Sequence, residues 1–203
     1  MFQFIDYLFP RLSAFLSPCV IILILLILQI VFFHDIKKTV LYIVFSMYLV
    51  VLFRLTGLPD SLHMHFHPRL QLIPIKGMKE DAFNAILNVC LFIPFGFFLP
   101  ALWRKFFSFK TTVLAAFAMT CFIEFTQLFC SRLTDVNDII TNTLGAVIGF
   151  FFFWVFTKTF PTLFQNKFKR RECLLIFTIT FTIVFYLDPV IYNFLKDLQS
   201  LPT

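Results

Sequence analysis

Two long uncharged runs limit what this chain can fold into. Leu12 to Phe33 and Ala82 to Trp103 each span 22 residues without Asp, Glu, Lys or Arg. About 20 apolar residues allow a helix to cross the hydrocarbon layer of a bilayer. Overall, 60% of the residues are hydrophobic and 14% are charged, compared with about 25% charged residues in soluble domains. The sequence therefore predicts an all-α fold, a polytopic transmembrane helical bundle.

Hydrophobic segments separated by short polar loops predict five or six spanning helices in one membrane domain over residues 1–203. The last segment has no charge over 15 residues, and Asp188-Pro189 is expected to end it, so it could span with tilt or lie along the surface. The first segment lacks a small-residue cleavage site and is interpreted as a retained helix. The segments are Leu12–Phe33, Thr39–Leu58, Ala82–Trp103, Thr111–Ser131, Ile139–Thr157 and Cys173–Leu187.

The net charge of +6 is interpreted as a topology signal and not as a nucleic-acid surface, because the basic residues form short clusters between the hydrophobic segments. Ten of the 17 Lys and Arg residues fall in the first, third and fifth connections, where few acidic residues offset them. This distribution predicts a multi-pass cell-membrane protein with its N-terminus outside the cytoplasm.

No cofactor or metal site is expected from the sequence. Five scattered cysteines form no C-x-x-C pair, which favours a packing role. His63, His65 and His67 alternate along a loop and could suit a transition metal, but no carboxylate or thiolate lies inside the triplet.

Polar residues gather where neighbouring helices should meet at one membrane depth. Glu124 and Gln127 share a face near the end of the fourth helix, and Glu124 lies about 10 Å inside its end. The eight residues predicted to line a pocket open to the outer leaflet are Arg54, Asn88, Glu124, Gln127, Arg132, Asp135, Asp138 and Asn142.

Several of these residues also have structural interpretations. Thr134 or Asp135 could cap the fifth helix, and Asp138 could be favoured by the helix dipole in its first turn. Asn88 and Asn142 could hydrogen-bond neighbouring helices. A charge inside a span costs at least about 2.5 kcal/mol, and so Glu124 needs a partner such as Arg132 or Arg54, in either a structural or a ligand-binding pair.

Gly145 and Gly149 have the G-x-x-x-G spacing that is typical of close helix packing. They continue the polar stripe of the fifth helix, since positions 135, 138, 142, 145 and 149 lie on one helical face.

Three motifs follow one another along the chain: N-V-C-L-F-I-P-F-G-F-F-L-P from Asn88 to Pro100, I-E-F-T-Q from Ile123 to Gln127, and R-x-x-D-x-x-D-x-x-x-N-x-x-G-x-x-x-G from Arg132 to Gly149. In this order they resemble the VanZ-like family of bacterial membrane proteins. Q-L-I-P-I at Gln71 to Ile75 resembles the family's preceding loop motif, which places a VanZ-like core at about residues 71–150. The resemblance implies a link to the bacterial cell envelope and to low-level resistance to the glycopeptide teicoplanin.

Three function classes follow from these observations. The leading hypothesis is a protein without enzymatic activity whose outer-leaflet pocket binds a polar or anionic headgroup, such as that of a lipid-linked cell-wall precursor. The alternatives are an enzyme acting on such a substrate, with Glu124 or Asp138 as acid or base, and a small proton-coupled transporter. No G-x-S-x-G elbow, H-E-x-x-H motif or phosphate-cradling loop supports catalysis.

Overall fold

The structure is a computed structural model that describes residues 2–58, 61–62, 64–66, 68–74, 82–130, 133–160 and 169–199. Its helices are α1 (Phe2–Leu28), α2 (Ile36–Thr56), α3 (Ala82–Leu102), α4 (Phe109–Gln127), α5 (Val136–Thr159), α6 (Arg170–Thr182) and α7 (Asp188–Gln199). Two π-helical turns, Gln29–Phe33 and Ile183–Leu187, and a 3₁₀ turn, Arg104–Phe106, extend or connect them. Two short strands, β1 (Arg69–Gln71) and β2 (Leu133–Asp135), complete the described structure.

The predicted all-α membrane fold is confirmed. Within the described residues, six helical segments are long and apolar enough to cross a membrane. They are Phe15–Phe33, Ile36–Thr56, Ala82–Leu102, Phe109–Gln127, Val136–Thr159 and Arg171–Phe194.

The prediction that Asp188-Pro189 ends the last hydrophobic segment is wrong. The helical backbone runs from α6 through the π-helical turn into α7. In a regular helix the proline ring clashes with the carbonyl group four residues earlier. The wider π-helical turn immediately before Asp188 relieves that crowding, so the segment reaches a length of 24 residues.

Local signals set the two ends of α2. The Asp35 side chain caps the start by accepting a hydrogen bond from the Lys38 backbone N–H at 3.2 Å. Gly57 ends the helix with a φ of 69°, in the left-handed region that favours glycine.

The chain divides into two compact units, residues 1–64 with 175–203 (unit 1) and residues 65–174 (unit 2). The grouping of all residues into a single membrane domain stays a prediction. In unit 1, the Arg54 guanidinium pairs with the Asp188 carboxylate at 2.8 Å and donates to the Ser17 hydroxyl at 2.7 Å. The ring of Phe53 packs edge-on against Phe177 and Phe181 nearby. The Asp188 charge is therefore neutralised within its own unit.

In unit 2, glycines allow α3 and α5 to pack with their backbones in contact. A Cβ atom at Gly145 or Gly149 would overlap the carbonyl oxygen of Val89 or Ile93, and one at Gly96 would overlap that of Ala146. The close packing predicted for the G-x-x-x-G spacing is therefore present. This contact fixes the axial register of α3 against α5 and hence the depth of the polar residues on both helices.

Candidate functional site

Glu124 is the most deeply buried acidic residue among those the structure describes. It lies one turn before the end of α4, its exposed fraction is 3%, and its Oε2 accepts a hydrogen bond from the Asp135 backbone N–H at 3.0 Å. The Thr134 hydroxyl donates to the Glu124 carbonyl oxygen at 3.3 Å. Glu124 thus holds the α4–α5 connection against α4.

Asp135, one of the two cap residues that the structural interpretation allowed, caps α5. Its Oδ1 accepts a hydrogen bond from the Asn137 backbone N–H at 2.8 Å. This contact satisfies one of the donors that the first turn of a helix leaves unpaired. The same residue therefore caps α5 with its side chain and donates to Glu124 with its backbone.

Asn88 and Asp138 connect α3 to α5. The Asn88 Nδ2 donates to Asp138 Oδ1 at 2.7 Å, and both residues are half-buried. A hydrogen bond to a charged acceptor is stronger than one between neutral groups. The Asp138 carboxylate is therefore held by a donor from a neighbouring helix.

Asn142, one helical turn after Asp138 on α5, connects α5 to α4. Its Nδ2 donates to the Thr120 hydroxyl at 2.9 Å, and both side chains are buried. The Asn142 Oδ1 is buried and has no hydrogen-bond partner within the described part of the chain. Gln127 is also buried, at 5% exposure, in the last turn of α4.

Six of the eight predicted residues thus lie at the end of unit 2 where α3 and α5 begin and α4 ends. We call this group the polar end: Asn88, Glu124, Gln127, Asp135, Asp138 and Asn142. Arg54 belongs to unit 1, where it binds Asp188 and Ser17, and Arg132 lies outside the described residues, as do His63 and His67. Among the described residues, no group of three or more His, Cys, Asp and Glu side chains could hold a metal ion.

A parallel strand pair borders the polar end and was not predicted from the sequence. β1 pairs with β2, with Gln71 opposite Asp135 and Arg69 opposite Leu133. The His65 backbone N–H also donates to the Phe129 carbonyl at 3.0 Å, and the Phe66 ring lies 5.7 Å from that of Phe129. Gln71, the first residue of the Q-L-I-P-I motif, thus lies beside the residue that caps α5. The motif itself was the available signal, because three residues are too few for a recognisable strand periodicity.

A family model described as VanZ/LLP1 matches residues 39–157, more than half of the chain. The chain belongs to the VanZ/LLP1 family.

The VanZ/LLP1 match confirms the resemblance seen in the three motifs. It begins inside α2 and ends inside α5, so it is wider than the predicted core of residues 71–150 and contains the whole polar end. No curated protein and no solved structure gives a significant match. The ligand-binding role of the eight candidate residues stays a prediction.

Proposed function

We propose that this VanZ/LLP1 membrane protein binds the polar headgroup of a lipid-linked ligand at the polar end of unit 2. The observation that carries the proposal is the burial of Glu124 within an apolar helix, where its carboxylate bonds the backbone of the next connection. A buried charge is expensive in a membrane, and an ionisable residue inside a span is by default a candidate for a functional site.

The surface around the polar end suits a ligand with both a headgroup and an apolar chain. Large apolar side chains on the same stretches of helix are exposed, including Phe83 and Leu87 on α3, Phe125 on α4 and Leu144 on α5. In a membrane these side chains contact lipid. A lipid-linked molecule can therefore keep its chain in the bilayer while its headgroup reaches the polar residues.

Some residues of this proposed site position the helices, and others contact the ligand. The Glu124 carboxylate bonds the Asp135 backbone and the Asp138 carboxylate bonds Asn88, so these two acids hold the α4–α5 connection and α3 in place. Arg132, which lies within that connection in the sequence, supplies the cation for a phosphate group in this proposal. The side-chain Oδ1 of Asn142 supplies an acceptor for a ligand hydroxyl or amide group.

The proposed biological setting is the outer face of the bacterial cell membrane, with the N-terminus outside. A lipid-linked cell-wall precursor carries phosphate and polar groups on a long apolar chain, and so it has the required chemistry. Binding such a precursor would change how a glycopeptide such as teicoplanin reaches its target, which connects this site to the family association.

Single substitutions at the polar end test the proposal. We expect Glu124→Gln, Asp138→Asn and Arg132→Gln each to reduce the change in teicoplanin susceptibility that expression of the protein produces, and to reduce it by more than the accompanying loss of membrane abundance. Susceptibility and abundance are measured on the same cultures. Glu172→Gln is the matched control, because the Glu172 carboxylate accepts from the Lys169 backbone N–H far along the chain from the polar end.

Two outcomes would contradict the proposal. If the effect of each variant on teicoplanin susceptibility falls only in proportion to its membrane abundance, the three residues have a structural role. Turnover of a polyprenyl phosphate substrate by the purified protein, abolished by Glu124→Gln, would indicate an enzyme instead.

A further inference from the structure

The opposite end of unit 2 is strongly basic. Arg104 and Lys105 follow α3, Lys110 lies in the first turn of α4, and Lys158 lies in the last turn of α5. The sequence contains no Asp or Glu between residues 82 and 123 or between 139 and 171. This end therefore carries several positive charges without a nearby acidic residue on the same helices.

The packing of α3 on α5 brings three of these cations to one level. The close contact of Gly96 with Ala146 and of Gly149 with Ile93 sets the register of the two helices. Further along, the ring of Phe97 lies 5.7 Å from that of Phe156, edge-on. α3 ends at Leu102, more than one turn after Phe97, and the 3₁₀ turn with Arg104 and Lys105 follows it, so these cations lie near the level of the end of α5, where Lys158 lies.

Three of the four basic side chains at this end make no polar contact with the rest of the described structure. Arg104, Lys105, Lys110 and Lys158 are all exposed. Within the described ranges, the side chains of Arg104, Lys105 and Lys110 make no hydrogen bond or ion pair. Their charge is therefore available to a partner outside the chain.

Lys158 joins this charge to an apolar surface. Its ammonium lies 3.6 Å from the centroid of the Trp154 ring, one turn earlier on α5. Trp154 is half-exposed, and Phe151, Phe152 and Val155 beside it are exposed as well. Tryptophan is enriched at the depth of lipid headgroups, so this contact places the ammonium where headgroup phosphates lie.

We infer that Arg104, Lys105 and Lys158 form a binding site for the headgroups of anionic phospholipids. The phosphate and any further acidic group pair with the cations, while the acyl chains lie on the exposed aromatic and aliphatic side chains of α5. Lys110 adds charge from the neighbouring helix. This inference does not depend on the function proposed for the polar end.

Lipid binding by the purified protein tests the inference. The protein is titrated with phosphatidylglycerol or phosphatidylcholine, and bound lipids are counted by native mass spectrometry. We expect preferential retention of phosphatidylglycerol, with apparent affinity falling about fivefold for each cation that Arg104→Gln, Lys105→Gln or Lys158→Gln removes. Lys105→Arg and Lys158→Arg keep the charge and should retain most of the binding.

The control variant removes an equal charge elsewhere. Arg69→Gln with Lys196→Gln takes away one Arg and one Lys, both exposed and outside the basic end, and is compared with Arg104→Gln plus Lys105→Gln. We expect the control pair to bind phosphatidylglycerol like the wild type. Equal retention of both lipids by the wild type, or equal losses in the two paired variants, would overturn the inference.

Discussion

The charged side chains at the two ends of unit 2 lie in opposite environments. At the polar end, the Glu124 carboxylate is buried and bonds the Asp135 backbone, and Asp138 is held by Asn88. At the basic end, Arg104 and Lys105 are exposed and have no side-chain bond among the described residues. The acids are therefore part of the internal architecture, whereas the cations face outward.

This difference indicates two kinds of binding. Charges held by neighbouring helices have a defined geometry and suit selective contact with one ligand. Exposed Lys and Arg side chains are mobile, and they suit abundant partners such as anionic lipids, for which charge matters more than shape. We expect substitutions at the polar end to change stability and function together, and substitutions at the basic end to change lipid binding alone.

The largest expected effect comes from the glycine contact that joins the two ends. Gly149→Val should destabilise unit 2 by about 3 kcal/mol or more, because any Cβ atom would overlap the Ile93 carbonyl oxygen. Thermal unfolding in detergent and membrane abundance measure the loss. Leu144→Val places the same side chain at an exposed position of α5 and should change stability by less than about 0.5 kcal/mol. Equal stability of the two variants would show that α3 and α5 do not pack as described.

An intermediate effect is expected at the polar end itself. A double-mutant cycle of Asn88→Ala and Asp138→Ala should give a coupling energy between about 0.6 kcal/mol, the measured average for hydrogen bonds between membrane helices, and about 1.7 kcal/mol, the measured maximum. The 2.7 Å contact from the Asn88 amide to a carboxylate favours the upper part of this range. Unfolding of the four proteins in one detergent provides the energies. Additive losses would mean that the two side chains do not interact, and the polar end would lose its link between α3 and α5.

The sequence predicted the parts of this arrangement that depend on chain direction and helix periodicity. Uncharged runs located the spans, and because successive helices alternate in direction, the start of α3 and α5 and the end of α4 had to share one depth. The 3.6-residue period placed Asp138, Asn142 and Gly149 on one face. Contacts between distant residues could not be predicted in this way.

Arg54 illustrates that limit. Its ion-pair partner, Asp188, lies 134 residues further along the chain, at the point where the last hydrophobic segment was expected to end. The β1–β2 pair is another case, because its three-residue strands are separated by the whole of α3 and α4. In both cases the deciding interaction is tertiary and leaves no periodic signal in the sequence.

The smallest effect is expected at the basic end in the absence of anionic lipid. Arg104→Gln with Lys105→Gln should change thermal stability in a neutral detergent by less than about 0.5 kcal/mol, because the two side chains are exposed and make no bond that the described structure shows. Glu124→Gln, measured in the same detergent, should lower the free energy of unfolding by about 1 to 3 kcal/mol. The reason is that the substitution removes the charged acceptor of the Asp135 backbone N–H. If Arg104→Gln with Lys105→Gln lowered thermal stability as much as Glu124→Gln, these cations would stabilise the fold. The contrast between an internal acidic end and an outward basic end would then no longer hold.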